Sequence, residues 1–266
     1  MIRNMIEETH LSVNDFIYVS DVASAIRHLI EAHNISGVYN IGSGQGKAVW
    51  EEYDDSTMSA ELQAVENVPV QIGLDFGLTP SAVFAQRLPN GAWHVLHEVV
   101  TFSMGLDRFV NVLKSEMAMR FPNFEFMVWG DPAGGARDQH YEVTSFEFLK
   151  THGIHARPTQ TNDFRVRREA VAMPMNRLVQ GKPGFLVNKK CLRLRKSLGG
   201  GYHYTRVAIG AGQERFKDKP NKNEHSHVGD ALGYCLLGGG EMKRMTRGTT
   251  RNAQPVIANQ EFNIFA

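Results

Sequence analysis

The order of the apolar runs after residue 70 constrains the fold of this chain more than any other feature of its sequence. Strand-like runs follow one another and are separated by turn signals at residues 78–80 and 89–91, a pattern that predicts an antiparallel meander. Helix-like and strand-like runs then alternate, which predicts further strands packed between helices. The predicted strands are residues 70–76, 81–87, 93–100, 124–129 and 153–156, and the predicted helices are residues 105–120, 145–152, 163–180 and 225–237.

This order of elements is that of the ribonuclease H fold. We therefore predict an α/β domain with a ribonuclease H-like mixed sheet, in which parallel strands accompany a three-strand antiparallel meander and helices flank the sheet. In that fold the first and fourth strands lie side by side. The chain divides into a small strand-helix-strand fragment at residues 1–46, this domain at residues 47–240 and a mobile, polar tail at residues 241–266.

Three aspartates occupy positions that this fold would bring together. Asp75 and Asp131 each follow a strand-like run, and Asp230 lies in the last predicted helix. A lone aspartate after a strand most often caps a turn or helix, but adjacent strands would put Asp75 and Asp131 at one sheet edge, with Asp230 over it. Carboxylate oxygens favour Mg²⁺ or Mn²⁺, and two such ions about 3.5–4 Å apart can support phosphodiester hydrolysis. We predict that all three are metal ligands and catalytic residues of a two-metal nuclease, with Asp75 as the bridging ligand.

The net charge of +1 hides a strong asymmetry along the chain. Residues 1–69 contain 3 Lys and Arg against 11 Asp and Glu, whereas residues 156–222 contain 16 against 4. Cations at this density neutralise phosphates when they converge on a groove, although an isolated cluster is equally well explained as a solvated basic face. A neighbouring carboxylate site favours nucleic acid. The predicted DNA contacts are Arg137, Arg165, Arg167, Arg168, Lys189, Lys190, Arg193 and Arg195.

Composition limits the other possibilities. A hydrophobic content of 42% with 21% charged residues is ordinary for a globular protein. Cys191 and Cys235 are far apart, so neither a disulfide framework nor a structural zinc site is indicated, and a reducing compartment fits. No apolar run approaches the roughly 20 residues of a membrane span, and the first residues do not form a secretory signal. We expect no membrane partner and a cytoplasmic location.

The first 46 residues resemble a segment of the extended short-chain dehydrogenases that act as nucleotide-sugar epimerases, through the stretches DFIYVSDVASAI and GVYNIGSG. No G-x-G-x-x-G turn precedes them, and no Tyr-x-x-x-Lys pair occurs in the sequence. We interpret this segment as a detached fragment without activity of its own. Residues 42–48 are rich in glycine, but a phosphate loop here would need Gly in place of Ile41 and Ser or Thr in place of Ala48. We therefore interpret this stretch as a flexible connector.

The run from Lys47 onward resembles the C-terminal nuclease domain of the large terminase subunit of tailed bacteriophages, the motor that packages and cuts viral DNA. The matching stretches are GKAVWEEYDD, GLDFGLTPSAVF, GDPAGGARDQ, RPTQTNDFRVRREAV, KPGFLVNKKCLRLRKSLGGGYHY and HSHVGDALGYCLLGG. The resemblance implies that Asp75, Asp131 and Asp230 are the nuclease carboxylates and that Mg²⁺ or Mn²⁺ is the cofactor. It implies double-stranded DNA, the small terminase subunit and the portal as partners, in the host cytoplasm during phage assembly.

A complete large terminase also carries an N-terminal ATPase, and here the epimerase-like fragment takes its place. We therefore expect DNA cleavage without translocation, and cleavage that is weak and indifferent to sequence.

Further residues are given supporting roles. Asp163 is predicted first as the N-cap of the basic helix and second as a support or fourth ligand of the metal site. His227 is predicted to support the carboxylates rather than to bind metal itself, because no third nitrogen or sulfur ligand lies near it in sequence. The alternating residues 189–196 are predicted to form a β-hairpin with residues 202–206, either along DNA or as an ordinary edge strand.

Other function classes fit parts of the sequence. The stretch GLDFGLT, with its strand, Asp and glycine turn, also occurs in actin-like phosphotransferases, but a second phosphate loop and an adenosine motif are not found in the sequence. A non-catalytic DNA-binding or assembly module is the other alternative. In that protein the aspartates would cap helices and the basic region would dock on DNA.

Overall fold

The protein is described by a computed structural model that covers residues 46–76, 79–135, 144–207 and 215–247. The epimerase-like segment lies outside the described residues, except for Gly46. The strands are β1 (Gly46–Ala48), β2 (Ser59–Ala60), β3 (Val70–Asp75), β4 (Ser81–Arg87), β5 (Trp93–Val100), β6 (Phe126–Gly130), β7 (Ala156–Pro158), β8 (Leu178–Val179), β9 (Lys182–Pro183), β10 (Phe185–Asn188), β11 (His203–Val207) and β12 (Arg215–Phe216). The α-helices are α1 (Asp55–Met58), α2 (Leu106–Arg120), α3 (Ser145–Thr151), α4 (Phe164–Met175), α5 (Leu192–Lys196), α6 (Ser226–Leu236) and α7 (Met242–Arg247).

The central sheet has seven strands in the order β2-β10-β5-β4-β3-β6-β7. The strands β3, β4 and β5 form the predicted antiparallel meander. On one side β6 and β7 continue the sheet in parallel, and on the other side β10 and β2 do the same. The predicted ribonuclease H-like mixed sheet is therefore confirmed, including the parallel pairing of the first and fourth strands, β3 and β6.

Strand alternation assigns each helix to a face of the sheet. The side chains of Val70, Ile72 and Leu74 belong to an apolar core with residues of α2 and α3. The alternate positions of β3 face the other way, where Gly73 lies directly against α6. The helices α4, α5 and α6 share the core on that face. Asp75 has the same parity as Gly73, so it points toward α6.

The predicted β-hairpin of residues 189–196 and 202–206 is wrong. Residues 192–196 form α5, and β11 pairs with β1 and β12 instead. The reason lies in β5, where the carboxylate of Glu98 accepts the backbone N–H groups of Arg193 at 2.8 Å and Leu194 at 2.6 Å. A carboxylate at these unpaired amides stabilises the start of a helix, which local alternation of Leu and Arg does not reveal.

Other boundaries differ from the prediction by a few residues. The basic helix ends at Met175 rather than at residue 180, because residues 178–183 form the β8–β9 hairpin instead. The turn of this hairpin is at Gln180 (φ 54°) and Gly181 (φ 77°). The short strand predicted at residues 153–156 is β7, at Ala156–Pro158.

The first residues of the segment predicted as a tail are ordered against the core. Glu241 is fully buried, and α7 continues to Arg247. Arg177 binds both carboxylate oxygens of Glu241 at 3.0 Å, and the indole N–H of Trp93 donates to the same group at 2.8 Å. These contacts fix the chain after α6 to the core. Residues 248–266 lie outside the described part of the chain.

Across the described ranges, no helix is both long enough and apolar enough to span a bilayer.

Candidate active site at the edge of the sheet

Two of the predicted aspartates leave neighbouring parallel strands at the same edge of the sheet. Leu74 of β3 lies opposite Gly130 of β6, and the residues that follow them directly are Asp75 and Asp131. Parallel strands expose their carboxyl ends on one edge, where ligand and catalytic sites of open α/β sheets usually lie. The prediction that β3 and β6 bring these residues to one edge is confirmed.

The helix α6 brings the third aspartate to this edge. A Cβ atom added to Gly73 would lie 2.0 Å from the carbonyl oxygen of Ala231 and 2.5 Å from the nitrogen of Cys235. The backbone of α6 therefore packs directly on β3, as only a glycine allows. Positions 227, 230, 231 and 234 follow helical spacing, so one face of α6 carries His227, Asp230 and Tyr234 toward the site.

His227 contacts the carboxylate of Asp75. The distance from its Nδ1 atom to Oδ2 of Asp75 is 2.9 Å, and because a carboxylate accepts, the Nδ1–H donates. Burial raises the pKa of Asp75, the hydrogen bond from His227 opposes that rise, and the charge of Asp230 adds to it. The same hydrogen bond raises the pKa of His227, against its partial burial. Asp75 and Asp230 are therefore close enough for their charges to interact.

Asp230 is buried, with 3% of its surface exposed, and both of its oxygens are bound to cations. Arg167 of α4 donates from Nη1 to Oδ1 at 2.7 Å. The ammonium of Lys222 donates to Oδ2. The hydroxyl of Tyr202 makes a longer contact of 3.4 Å to Oδ1, and burial together with the negative charge of Asp230 raises its pKa.

Asp131 is partly exposed and is held by its own turn. Its Oδ1 atom accepts the backbone N–H of Ala133 at 2.9 Å, at the start of the short 3₁₀ turn Pro132–Gly135. The hydroxyl of Tyr234 lies near this carboxylate, and burial together with the negative charge of Asp131 raises the pKa of Tyr234. The ring of Tyr234 lies under the guanidinium of Arg167, at 4.5 Å. Tyr234, close to Asp131, and Arg167, bound to Asp230, are therefore in contact with each other.

The carboxylate oxygens of Asp75 and Asp230 suit a hard divalent cation, because such cations prefer oxygen ligands. The ammonium of Lys222 acts on both Asp75 and Asp230, as a stand-in for such a cation. Within the described residues, however, no group of three or more His, Cys, Asp and Glu side chains is arranged to hold a metal. In the described residues Asp230 is contacted by Arg167 and Lys222, and Asp131 accepts a hydrogen bond from its own turn, so the shared metal site stays a prediction.

The predicted DNA contacts fall into different environments. Arg167 is wrong as a DNA contact, since it is buried at 7% exposure and paired with Asp230. Arg168 and Arg195 bind Glu52 and Asp55, so the acidic N-terminal part of the domain neutralises part of the basic region. Arg137 lies outside the described residues. The remaining predicted contacts are exposed: Arg165, Lys189, Lys190 and Arg193.

Asp163 is the N-cap of α4, as the sequence first predicted. Its carboxylate accepts the backbone N–H groups of Arg165 at 2.8 Å and Val166 at 3.2 Å. The cap fixes the start of the helix that carries Arg167 to Asp230, so Asp163 supports the site only through α4.

Sequence reasoning missed four residues of the site. Tyr234 stands four residues after Asp230, a helical spacing that would have identified it as a neighbour. Arg167 has the sequence signature of a surface cation within a basic helix. Tyr202 and Lys222 precede α6 in irregular segments, and the sequence contains no signal that would have joined them to Asp230.

Neither a protein-family model nor a curated protein matches the chain, and no comparison supports the resemblance of residues 1–46 to dehydrogenases. Solved structures do match. The large terminase of a thermophilic bacteriophage is 16% identical with a TM-score of 0.53, over 73% of this chain and 45% of that protein. The nuclease domain of the P22 large terminase is 13% identical with a TM-score of 0.52, over 76% of this chain and 97% of that domain. The chain spans about half the length of the thermophilic phage protein. By its sheet order and these likenesses, the chain has the ribonuclease H-like fold found in the nuclease domains of large terminases.

Proposed function

We propose that this chain is a terminase-type endonuclease domain that cleaves double-stranded DNA with the help of Mg²⁺ or Mn²⁺. One observation carries the proposal: β3, β6 and α6 bring Asp75, Asp131 and Asp230 to one edge of a ribonuclease H-like sheet. A turn or helix cap binds only its own backbone, so caps alone do not explain why three acidic side chains from separate elements lie at one edge. The small terminase subunit and the portal are proposed partners of the whole protein.

Each residue of the site has a proposed task. His227 orients Asp75 by binding Oδ2, and the buried position of Asp75 keeps competing water away. Arg167 fixes Asp230 through Oδ1 from the protein interior. Asp131, the most exposed of the three, is proposed to bind the cation on the side of the site that is open to solvent. When bound, a divalent cation would activate water and stabilise the leaving oxygen.

The exposed cations Arg165, Lys189, Lys190 and Arg193 are the proposed contacts to DNA phosphates. The guanidinium of Arg193 stacks over Phe102 at 5.2 Å and lies 3.6 Å from Glu224. Contacts to phosphates alone carry no sequence information, so this surface supports cleavage that is indifferent to sequence.

Metal-dependent nicking of supercoiled plasmid tests the proposal. Asp131→Asn is the cleanest variant, because Asp131 is partly exposed and its removal leaves no buried cation unpaired. We expect nicking with Mn²⁺, its loss in EDTA, and a decrease of at least about 100-fold in Asp131→Asn, the size expected for losing several kcal/mol of charge stabilisation. Asp107→Asn, an exposed aspartate in the first turn of α2, is the matched control and should nick normally.

A non-catalytic DNA-binding or assembly module is the second candidate, and one observation favours it. Asp230 is neutralised by Arg167 and Lys222, as a purely structural ion pair would be. DNA binding by the wild-type protein with no nicking at any concentration of Mn²⁺ or Mg²⁺ would favour this module over the nuclease.

A further inference from the structure

The two cations bound to Asp230 differ in a way that assigns them different roles. The side chain of Arg167 is 8% exposed, whereas that of Lys222 is 62% exposed. Both bind the same buried carboxylate, which is itself 4% exposed. One cation therefore belongs to the interior, and the other reaches the carboxylate from solvent.

Arg167 cannot leave Asp230 at low cost. Its Nε atom also donates to the carbonyl oxygen of Asn162 at 3.3 Å, and its guanidinium lies over the rings of Tyr234 and Phe164. Withdrawal would leave a guanidinium unpaired among apolar and aromatic groups, which is strongly unfavourable.

Lys222 is held by fewer contacts. It lies between β12 and α6, in an exposed part of the chain, and its ammonium is 5.5 Å from the centre of the Tyr202 ring. A lysine carries a compact, strongly hydrated charge on a flexible stem, so its head group can return to water with little loss. The ammonium lies on the Oδ2 side of Asp230, and its charge also reaches Asp75.

We propose that the Lys222 ammonium is a removable counter-ion that occupies the cation position beside Asp75 and Asp230, and that it must leave before a divalent cation binds there. This inference rests on the proposed function. Lys222 keeps the two buried carboxylates neutralised in the metal-free protein and lowers the affinity for metal by the free energy of its own contact. Arg167 remains bound to Oδ1 in both states.

Calorimetric titration of the full chain with Mn²⁺ tests the first consequence. We expect Lys222→Met to bind Mn²⁺ about tenfold more tightly than wild type, the size expected when the cation no longer has to break a charge-assisted hydrogen bond. Lys219→Met is the matched control, because it removes the same charge from an exposed position three residues earlier. It should change the affinity much less than Lys222→Met does.

Amine labelling of the wild-type protein tests the second consequence without any substitution. We expect acetylation of Lys222, followed by mass spectrometry, to rise several-fold when Mn²⁺ is added, since the ammonium is released to solvent. Lys219 serves as the internal reference and should not respond. Asp75→Asn, which removes a ligand, should abolish the response of Lys222.

The outcomes separate this inference from the proposed function. If Mn²⁺ binds wild type and Lys222→Met equally and the labelling of Lys222 does not change, the counter-ion role is overturned while the nuclease proposal stands. Should Mn²⁺ bind neither protein, both fail. If Mn²⁺ binds Lys222→Met but not wild type, the Lys222 ammonium fully blocks the cation position, which supports the counter-ion role.

Discussion

At the scale of single residues, the buried aspartates of the site differ in what they contribute to stability. Asp75 carries a charge that burial disfavours, so its pKa is raised. Asp230 neutralises Arg167 in the interior. Removing either carboxylate should abolish nicking, but only the removal of Asp230 should lower the stability of the folded state.

We predict that Asp75→Asn does not lower the free energy of unfolding at pH 7, whereas Asp230→Asn lowers it by about 3 kcal/mol, because Arg167 then loses its buried partner. The sign for Asp75 follows from its raised folded pKa: above that pKa the ionised form is penalised in the folded state, and asparagine removes the penalty. Urea denaturation of both variants measures the difference. A stability loss for Asp75→Asn equal to that for Asp230→Asn would contradict this assignment.

At the scale of elements, the contact between β3 and α6 positions the site. Gly73 leaves no room for a side chain against the backbone of α6. Displacement of the helix would move His227 and Asp230 together, away from Asp75.

Gly73→Ala should therefore destabilise the protein by about 2 to 3 kcal/mol, the range for overpacking a close contact, and should reduce nicking in the folded fraction. Gly199→Ala is the matched control, since a Cβ atom at Gly199 would meet nothing within 4 Å. Thermal unfolding and plasmid nicking of the two variants are the measurements. Equal behaviour of the two alanine variants would show that the contact between β3 and α6 tolerates a methyl group.

A second element, the segment after α6, is attached through the buried ion pair of Glu241 and Arg177. Burial alone would raise the pKa of Glu241, but the hydrogen bonds from Arg177 and Trp93 outweigh it and lower that pKa below its ordinary value of 4.5. A lowered folded pKa gives stability that is present above the ordinary value and is lost as the pH falls through the folded pKa.

We expect Glu241→Gln to cost about 3 kcal/mol of unfolding free energy at pH 7, because Arg177 is left without its partner. The difference from wild type should shrink progressively as the pH falls below about 4.5. Glu66→Gln, the same change at an exposed position, is the control. Urea denaturation at a series of pH values checks this, and a difference that does not depend on pH would refute it.

At the scale of the whole molecule, charge is distributed more evenly than the sequence suggests. Acidic residues near the start of the domain, Glu52 and Asp55, bind Arg168 and Arg195. The exposed Lys189 and Lys190 lie between β10 and α5, on the side of the sheet that carries α6. Because β10 runs in the same direction as β5 and β3, both lysines follow a strand that ends at the same edge of the sheet as Asp75.

If both lysines contact phosphates, Lys189→Gln with Lys190→Gln should reduce the slope of log affinity against log salt by about 2, with little change in sequence preference. The control pair is Lys114→Gln with Lys150→Gln, exposed lysines on α2 and α3 at the opposite face. Fluorescence anisotropy of labelled duplex DNA at several salt concentrations gives the slopes. Equal slopes for the two pairs would remove Lys189 and Lys190 from the DNA interface.

The sequence by itself determined the order of the elements, the strand ends at Asp75 and Asp131 and the helix of Asp230, because strand alternation and helical spacing are local properties. Only the tertiary structure decided which cations meet these acids. Arg167 and Asp230 are 63 positions apart, and their pairing depends on how α4 packs against α6. Residues 192–196 likewise form a helix because of a tertiary contact, since Glu98 of β5 binds the amides at the start of α5. Contacts between charged residues that are remote in sequence depend on tertiary packing, which local sequence patterns do not specify.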